Sequence, residues 1–269
     1  MSFENFVLAF NYFEFGMQYC QGDGHIAISS DNSSRWLPGS NRETVLAVIK
    51  FRLRGDLRFL SHAETVRVFQ RACARAGLKL RYSQGFNPRP KLSLPLPKSV
   101  GIEVDEDLMC LQVSAAELPT LKDRLSEQLP DGFELLSVRP AEAKKSFQPK
   151  LATYKLVLRK DKEVLQNKGK RQPQQDFDEK LKARIKSLLA SESLNLQRRV
   201  DAKASFRDVD VRPFLESIEF NGSDVIIECK ISKAGSIRVD EILRLLNLDL
   251  GQLAAPVKRT GVRWKVSES

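Results

Sequence analysis

The sequence predicts an α+β chain of two tandem units, each running strand, helix, strand, strand, helix, strand. Three observations carry that expectation. Residues Thr44–Arg54 alternate between apolar and other side chains, the period-two signature of a half-buried strand. The elements up to residue 140 complete one βαββαβ set. A weaker copy of the same order then fills residues 153–269.

In the first strand Val45, Ala47, Ile49, Phe51 and Leu53 share one face, with Lys50, Arg52 and Arg54 on the other. Gly55-Asp56 breaks it. Ser61 is a good helix N-cap and Glu64 completes a capping box. The helix they open has Val66, Phe69, Cys73 and Ala76 as its apolar face, and Gly77 ends it in the left-handed conformation. Tyr82-Ser83-Gln84-Gly85-Phe86-Asn87-Pro88-Arg89-Pro90 reads as a loop, because Gly85 permits a positive φ and the prolines cannot pair as strand. Leu92–Leu96 and Val100–Val113 read as strands, the second kinked at Asp105-Glu106-Asp107. Leu118–Leu129 reads as a helix and Phe133–Val138 as a closing strand. This is the ferredoxin-like plan, assigned to 44–140.

A polar linker is expected at 141–152. The second α+β unit, 153–269, has Thr153–Arg159 as a strand and Phe177–Leu189 as a helix. Leu194–Ser232 holds two or three strands, Val239–Leu246 a short helix and Gly261–Val266 a last strand. Lys162–Asp176 is low in complexity and expected to be a mobile loop. Residues 1–43 are an N-terminal extension crowded with aromatics (Phe3, Phe6, Phe10, Tyr12, Phe13, Phe15, Tyr19, Trp36). It reads equally as a docking tail, a disordered segment or a misassigned start.

Composition excludes several classes. No apolar run approaches eighteen residues, so no transmembrane helix is expected, and the Met-Ser-Phe-Glu opening lacks the basic region of a secretory signal. Cys20, Cys73, Cys110 and Cys229 are scattered and form no CxxC, which fits buried thiols in a reducing cytoplasm better than a disulfide framework or zinc site. No metal site or cofactor is expected. Asp105-Glu106-Asp107 is a loop-like acidic turn rather than a cation site.

The charge is more informative. The chain carries a formal +10, and the stretch Lys50–Lys98 alone holds twelve basic residues against Asp56 and Glu64. The rest of the chain is balanced, so the whole excess is focused, as expected for a polyanion-binding surface. Arg67, Arg71 and Arg75 recur every four residues on one side of the first helix, Arg52 and Arg54 lie on the strand, and Arg58 precedes the helix cap. In the loop, Tyr82 and Phe86 are suited to stack on unpaired bases. Arg81, Arg89 and Lys91 are suited to reach phosphates, and Gln84 and Asn87 base edges. His62 is the one candidate general base, for a metal-independent ribonuclease. A lone histidine at a helix start is more often structural, so a non-catalytic protein is favoured over an enzyme.

The runs Gly55-Asp56-Leu57-Arg58-Phe59-Leu60-Ser61-His62, Arg75-Ala76-Gly77-Leu78 and Tyr82–Lys91 resemble the radical SAM-linked protein family (domain of unknown function 2344). Asp210-Val211-Arg212-Pro213, Gly235-Ser236-Ile237-Arg238 and Arg259-Thr260-Gly261 add to the likeness, which covers about residues 45–266. The resemblance implies a chain encoded beside, or fused to, a B12-binding/radical SAM protein. The sequence lacks C-x-x-x-C-x-x-C, so the iron–sulfur enzyme would act in trans. Composition and resemblance together give the expected function: an RNA-binding accessory protein to a radical SAM enzyme. The alternatives are a protein–protein docking module that never meets RNA, and the His62 ribonuclease.

Overall fold

The computed structural model describes residues 44–159, 172–199 and 206–268. The extension at 1–43 lies outside them. So does 160–171, the larger part of the expected mobile loop.

The first six elements are β1 (Thr44–Leu53), α1 (His62–Arg75), β2 (Leu92–Ser93), β3 (Glu103–Ser114), α2 (Leu118–Ser126) and β4 (Phe133–Glu142). The α1 N-terminus is the capping box read from the sequence: the Ser61 hydroxyl accepts from the Glu64 N–H at 3.3 Å while the Glu64 carboxylate accepts from the Ser61 N–H at 2.8 Å. Gly77 follows the helix with φ +60°. The β1 alternation holds. Ala47, Ile49, Phe51 and Leu53 are buried under α1, and Phe51, Phe69 and Phe133 stack with centroids 5.0–6.1 Å apart. The acidic kink is a bulge, because Phe51 pairs with Asp107 and Leu53 with Val104. The strand expected at Leu92–Leu96 stops after two residues. Pro95 and Pro97 have no N–H to give a ladder.

The remaining elements are β5 (Lys145–Val157), α3 (Gln172–Ala190), β6 (Asn195–Arg199), β7 (Phe206–Asp210), β8 (Leu215–Phe220), β9 (Asp224–Ser232), β10 (Gly235–Ser236), α4 (Val239–Leu246) and β11 (Lys258–Glu268). Two expectations need correcting. Most of the span 141–152 is strand, since β4 ends at Glu142 and β5 begins at Lys145. Its prolines suggested a linker, yet Pro140 sits on the edge strand β4, where a missing N–H costs nothing, and Pro149 lies where the β5–β11 register shifts. Residues 172–176, expected in the mobile loop, open α3.

Pairing joins these strands into one nine-stranded mixed sheet, with β6–β7 a separate ribbon. Within residues 44–142 the antiparallel order is β4-β1-β3-β2, and within 145–268 it is β11-β5-β9-β8. Both read fourth, first, third, second. The halves fuse where β11 meets β3 in parallel, Lys258 opposite Glu103 and Arg259 opposite Val104. The described residues form one compact unit with two hydrophobic cores. One runs from Ala47 to Leu135; the other takes Ile102 and then Ala152 to Val257. Cys73, Cys110 and Cys229 are buried thiols. Burial pushes Cys73 and Cys229 up to about 12 and Cys110 to about 11. No described helix is long and apolar enough to cross a membrane.

Candidate nucleic-acid interface

Helix α1 runs back antiparallel to β1, so its last turn lies at the end of the sheet where β1 begins and β3 ends. The chain leaves it to bridge Leu80 with Val113. Arg81 N–H donates to Gln112 O at 3.0 Å, and Gln112 N–H to Lys91 O at 3.0 Å. Between those anchors the loop closes on itself. Tyr82 bridges Pro90, Ser83 N–H donates to Arg89 O at 2.8 Å, and Arg89 N–H donates to the Ser83 hydroxyl at 2.9 Å. The tip Gln84–Pro88 is wholly exposed. Phe86 shows 107% of its reference surface and Tyr82 49%. The aromatics therefore do not fill the edge of the core. Arg89 and Lys91 are exposed beside them, and Arg81 is held against the Thr44 hydroxyl at 2.8 Å.

Arg67, Arg71 and Arg75 are exposed on the outer side of α1. Arg75 also donates to the Gln128 carbonyl. Arg71, Arg75, Arg81, Tyr82, Gln84, Phe86, Asn87, Arg89 and Lys91 thus gather at one end of the first half, with Arg67 two turns up the helix.

Arg52, Arg54 and Arg58 do not join them. Arg52 and Arg54 lie on the opposite face of the sheet from α1 and meet acids from the neighbouring strands: Arg52 with Glu134 at 2.6 Å, Arg54 with Asp105 at 3.1 Å. Lys50 pairs with Glu106 beside them. Asp105 and Glu106 of the acidic kink are spent on these cations, and no group of three or more metal-ligating side chains occurs among the described residues. Arg58 is at the far end of α1, stacked on the Phe59 ring at 4.2 Å and bonded to Gly55 O and Asp56. His62 is there too, about 20 Å of helix from Arg75 at 1.5 Å per residue.

That far end holds a polar cluster that sequence reading missed. Arg259 and Asp107, 1% and 3% exposed, form an ion pair across the β11–β3 seam. Arg259 also donates to Pro97 O at 3.1 Å. Lys98 donates to Arg58 O at 2.7 Å and Ser99 O at 3.2 Å. Burial, then the Arg259 charge, brings the Lys98 ammonium down to about 8. Burial raises Asp107, against the pull of Arg259 and the Leu108 N–H, and it raises Tyr154. No local signal marks this cluster in the sequence, where Arg259 sits among Lys258, Arg263 and Lys265. Its partners lie 152 and 162 residues away.

Several motif residues prove structural. The Arg212 guanidinium donates to Leu189 O in the last turn of α3, to Ser191 O just past it and to Leu215 O, each at 2.9 Å. Asp210 accepts from the Leu194 and Arg212 N–H groups at 2.7 and 3.0 Å. Arg198 holds the fully buried Glu241 and donates to Ser236 O.

The family described as "Uncharacterized protein conserved in bacteria (DUF2344)" matches residues 47–244. No curated protein matches the chain. Among solved structures, the chain is similar to the acetolactate synthase small subunit from Thermotoga maritima at 12% identity. That likeness covers 84% of this chain and 99% of that one with a TM-score of 0.23.

Proposed function

We propose, for a chain that belongs to the family of uncharacterized proteins conserved in bacteria (DUF2344), that it is a non-catalytic RNA-binding protein whose two halves are tandem ferredoxin-like units. The observation that supports this most directly is the Tyr82–Lys91 loop. It offers two exposed aromatic rings beside Arg89 and Lys91, next to the last turn of an arginine-lined helix. Aromatic faces take unpaired bases and the cations their phosphates. The strand arginines are left out, because their charge is met by Glu134 and Asp105. The fold reading rests on the same fourth-first-third-second strand order in each half and on the two cores.

An accessory role to a radical SAM enzyme acting in trans is the second part of the proposal. It is supported by the resemblance of the motifs alone. The separation of His62 from the loop, at opposite ends of α1, supports the non-catalytic reading over a His62 ribonuclease.

The test is titration of labelled cellular RNA with the purified full chain across a salt series. Six cations (Arg67, Arg71, Arg75, Arg81, Arg89, Lys91) at about 0.7 per contact give a log–log slope of about −4. Arg89→Glu with Lys91→Glu is expected to abolish binding without altering the circular dichroism spectrum. No binding at low salt removes the proposal and turns the basic end toward an acidic protein.

A further inference from the structure

The helix-free face of the first half is roofed at one end. The chain turns at 143–144 from β4 into β5, and Gln112 Nε2 donates to Ala143 O at 3.2 Å across that face. A cleft of about 390 Å³ results, floored by Leu46 and Cys110, with Phe147 on one wall and Lys91, Leu92 and Ser93 on the other. That volume lies toward the small end of the range for bound small molecules. No acidic side chain lines it.

Register settles which way the near wall points. Ser93 pairs with Cys110, and Gln112 N–H bonds Lys91 O, so Lys91 and Ser93 share the helix-free face with Gln112 and Leu46. Lys145, on the far wall, is already held by Glu142 at 2.8 Å. Lys91 is therefore the cation at the mouth, and it is the last residue of the Tyr82–Lys91 loop.

From this juxtaposition we infer that the cleft takes one unpaired nucleotide of the RNA strand that the loop engages, an inference that rests on the RNA-binding reading. A flat base fits against Leu46, Cys110 and Phe147. The Gln112 amide, with one N–H and its carbonyl unspent on Ala143, and the Ser93 hydroxyl offer hydrogen bonds to a base edge. Lys91 meets the adjoining phosphate. A continuous strand thus passes from the stacking rings of the loop into the cleft, and double-stranded RNA, whose bases are paired, is excluded from it.

The experiment cross-links single-stranded oligoribonucleotides carrying 4-thiouridine to the full chain and maps the adducts by mass spectrometry. Binding is measured in parallel for wild type and Ser93→Trp, which fills the cleft from an exposed backbone position. Adducts on Ser93, Phe147 or their neighbours, and a loss of about tenfold or more in single-strand affinity in the variant, are expected. A free 5′-mononucleotide is expected to compete only at far higher concentration than the oligomer. Tight binding with adducts confined to Tyr82 and Phe86 overturns the cleft and leaves the RNA-binding reading standing. Competition by the mononucleotide at the oligomer's own concentration overturns the strand as the source. No binding of any RNA overturns both readings. Should Ser93→Trp fail to fold, the wild-type adduct map alone decides.

Discussion

Phe86 and Lys98 show how burial sets what a single side chain does. Phe86 has no core contact to lose, so Phe86→Ala is expected to leave thermal stability unchanged. It should weaken single-stranded RNA binding by the roughly 1–3 kcal/mol that one stacked base supplies, which a titration beside a melting curve reads directly. Lys98 is the opposite case, an ammonium almost out of water and held down to about 8. Its ordinary value, recovered on unfolding, is 10.5, so between about pH 8 and 10.5 the unfolded chain binds more protons than the folded one. Stability from this group therefore rises with pH across that window. The unfolding free energy of wild type minus that of Lys98→Met should climb over the same range. A flat difference would mean that Lys98 keeps its ordinary affinity for protons in the folded protein.

Elements hold their residues by local rules and by cross-strand partners, and the two can be separated. The capping box at Ser61 belongs to α1 alone. Ser61→Ala removes one acceptor for an orphan N–H and the Glu64 partner, at a cost of about 1 kcal/mol, measurable as a shift in the denaturant midpoint. Gly132 answers instead to its neighbours. Its φ is +96°, and an added Cβ would stand 2.7 Å from Arg54 O. Gly132→Ala is expected to cost more than about 1 kcal/mol, since both the backbone and the end of β1 must give. At the end of β1, acids of the neighbouring strands hold Arg52 and, just past it, Arg54. Arg52→Gln should leave the salt slope of RNA binding where it was, while Lys91→Gln should lower it by about 0.7.

At the scale of the molecule, two cores share one sheet, and the seam is short. Strand β11 pairs with β3 through only Lys258 and Arg259, and there Arg259 and Asp107 lie buried together. Removing one partner strands the other charge in a poorly solvated site, which costs about 3–5 kcal/mol. Asp107→Ala is expected to lose that much in chemical denaturation, far more than loss of the exposed pair of Arg244 with Asp240, one turn apart on α4 at 3.0 Å, would cost. Loss of less than about 1 kcal/mol would show that the seam is held by its apolar neighbours and not by the ion pair.

What the sequence determined by itself is what short-range chemistry controls. The β1 alternation, the Ser61–Glu64 cap, the Gly77 stop, the α4 span and the exposed loop around Gly85 are all set within a few residues, and each is found in place. The concentration of charge between Lys50 and Lys98 was equally plain. Tertiary structure decided which of those charges remain unspent, because Asp105, Glu106 and Glu134 reach β1 only through strand pairing. It also turned an expected linker into β4 and β5, since Pro140 and Pro149 are tolerated only where an edge and a register shift receive them. The Asp107–Arg259 seam and the cleft beside Lys91 come from segments far apart in the chain, brought together by pairing and burial that no local pattern records.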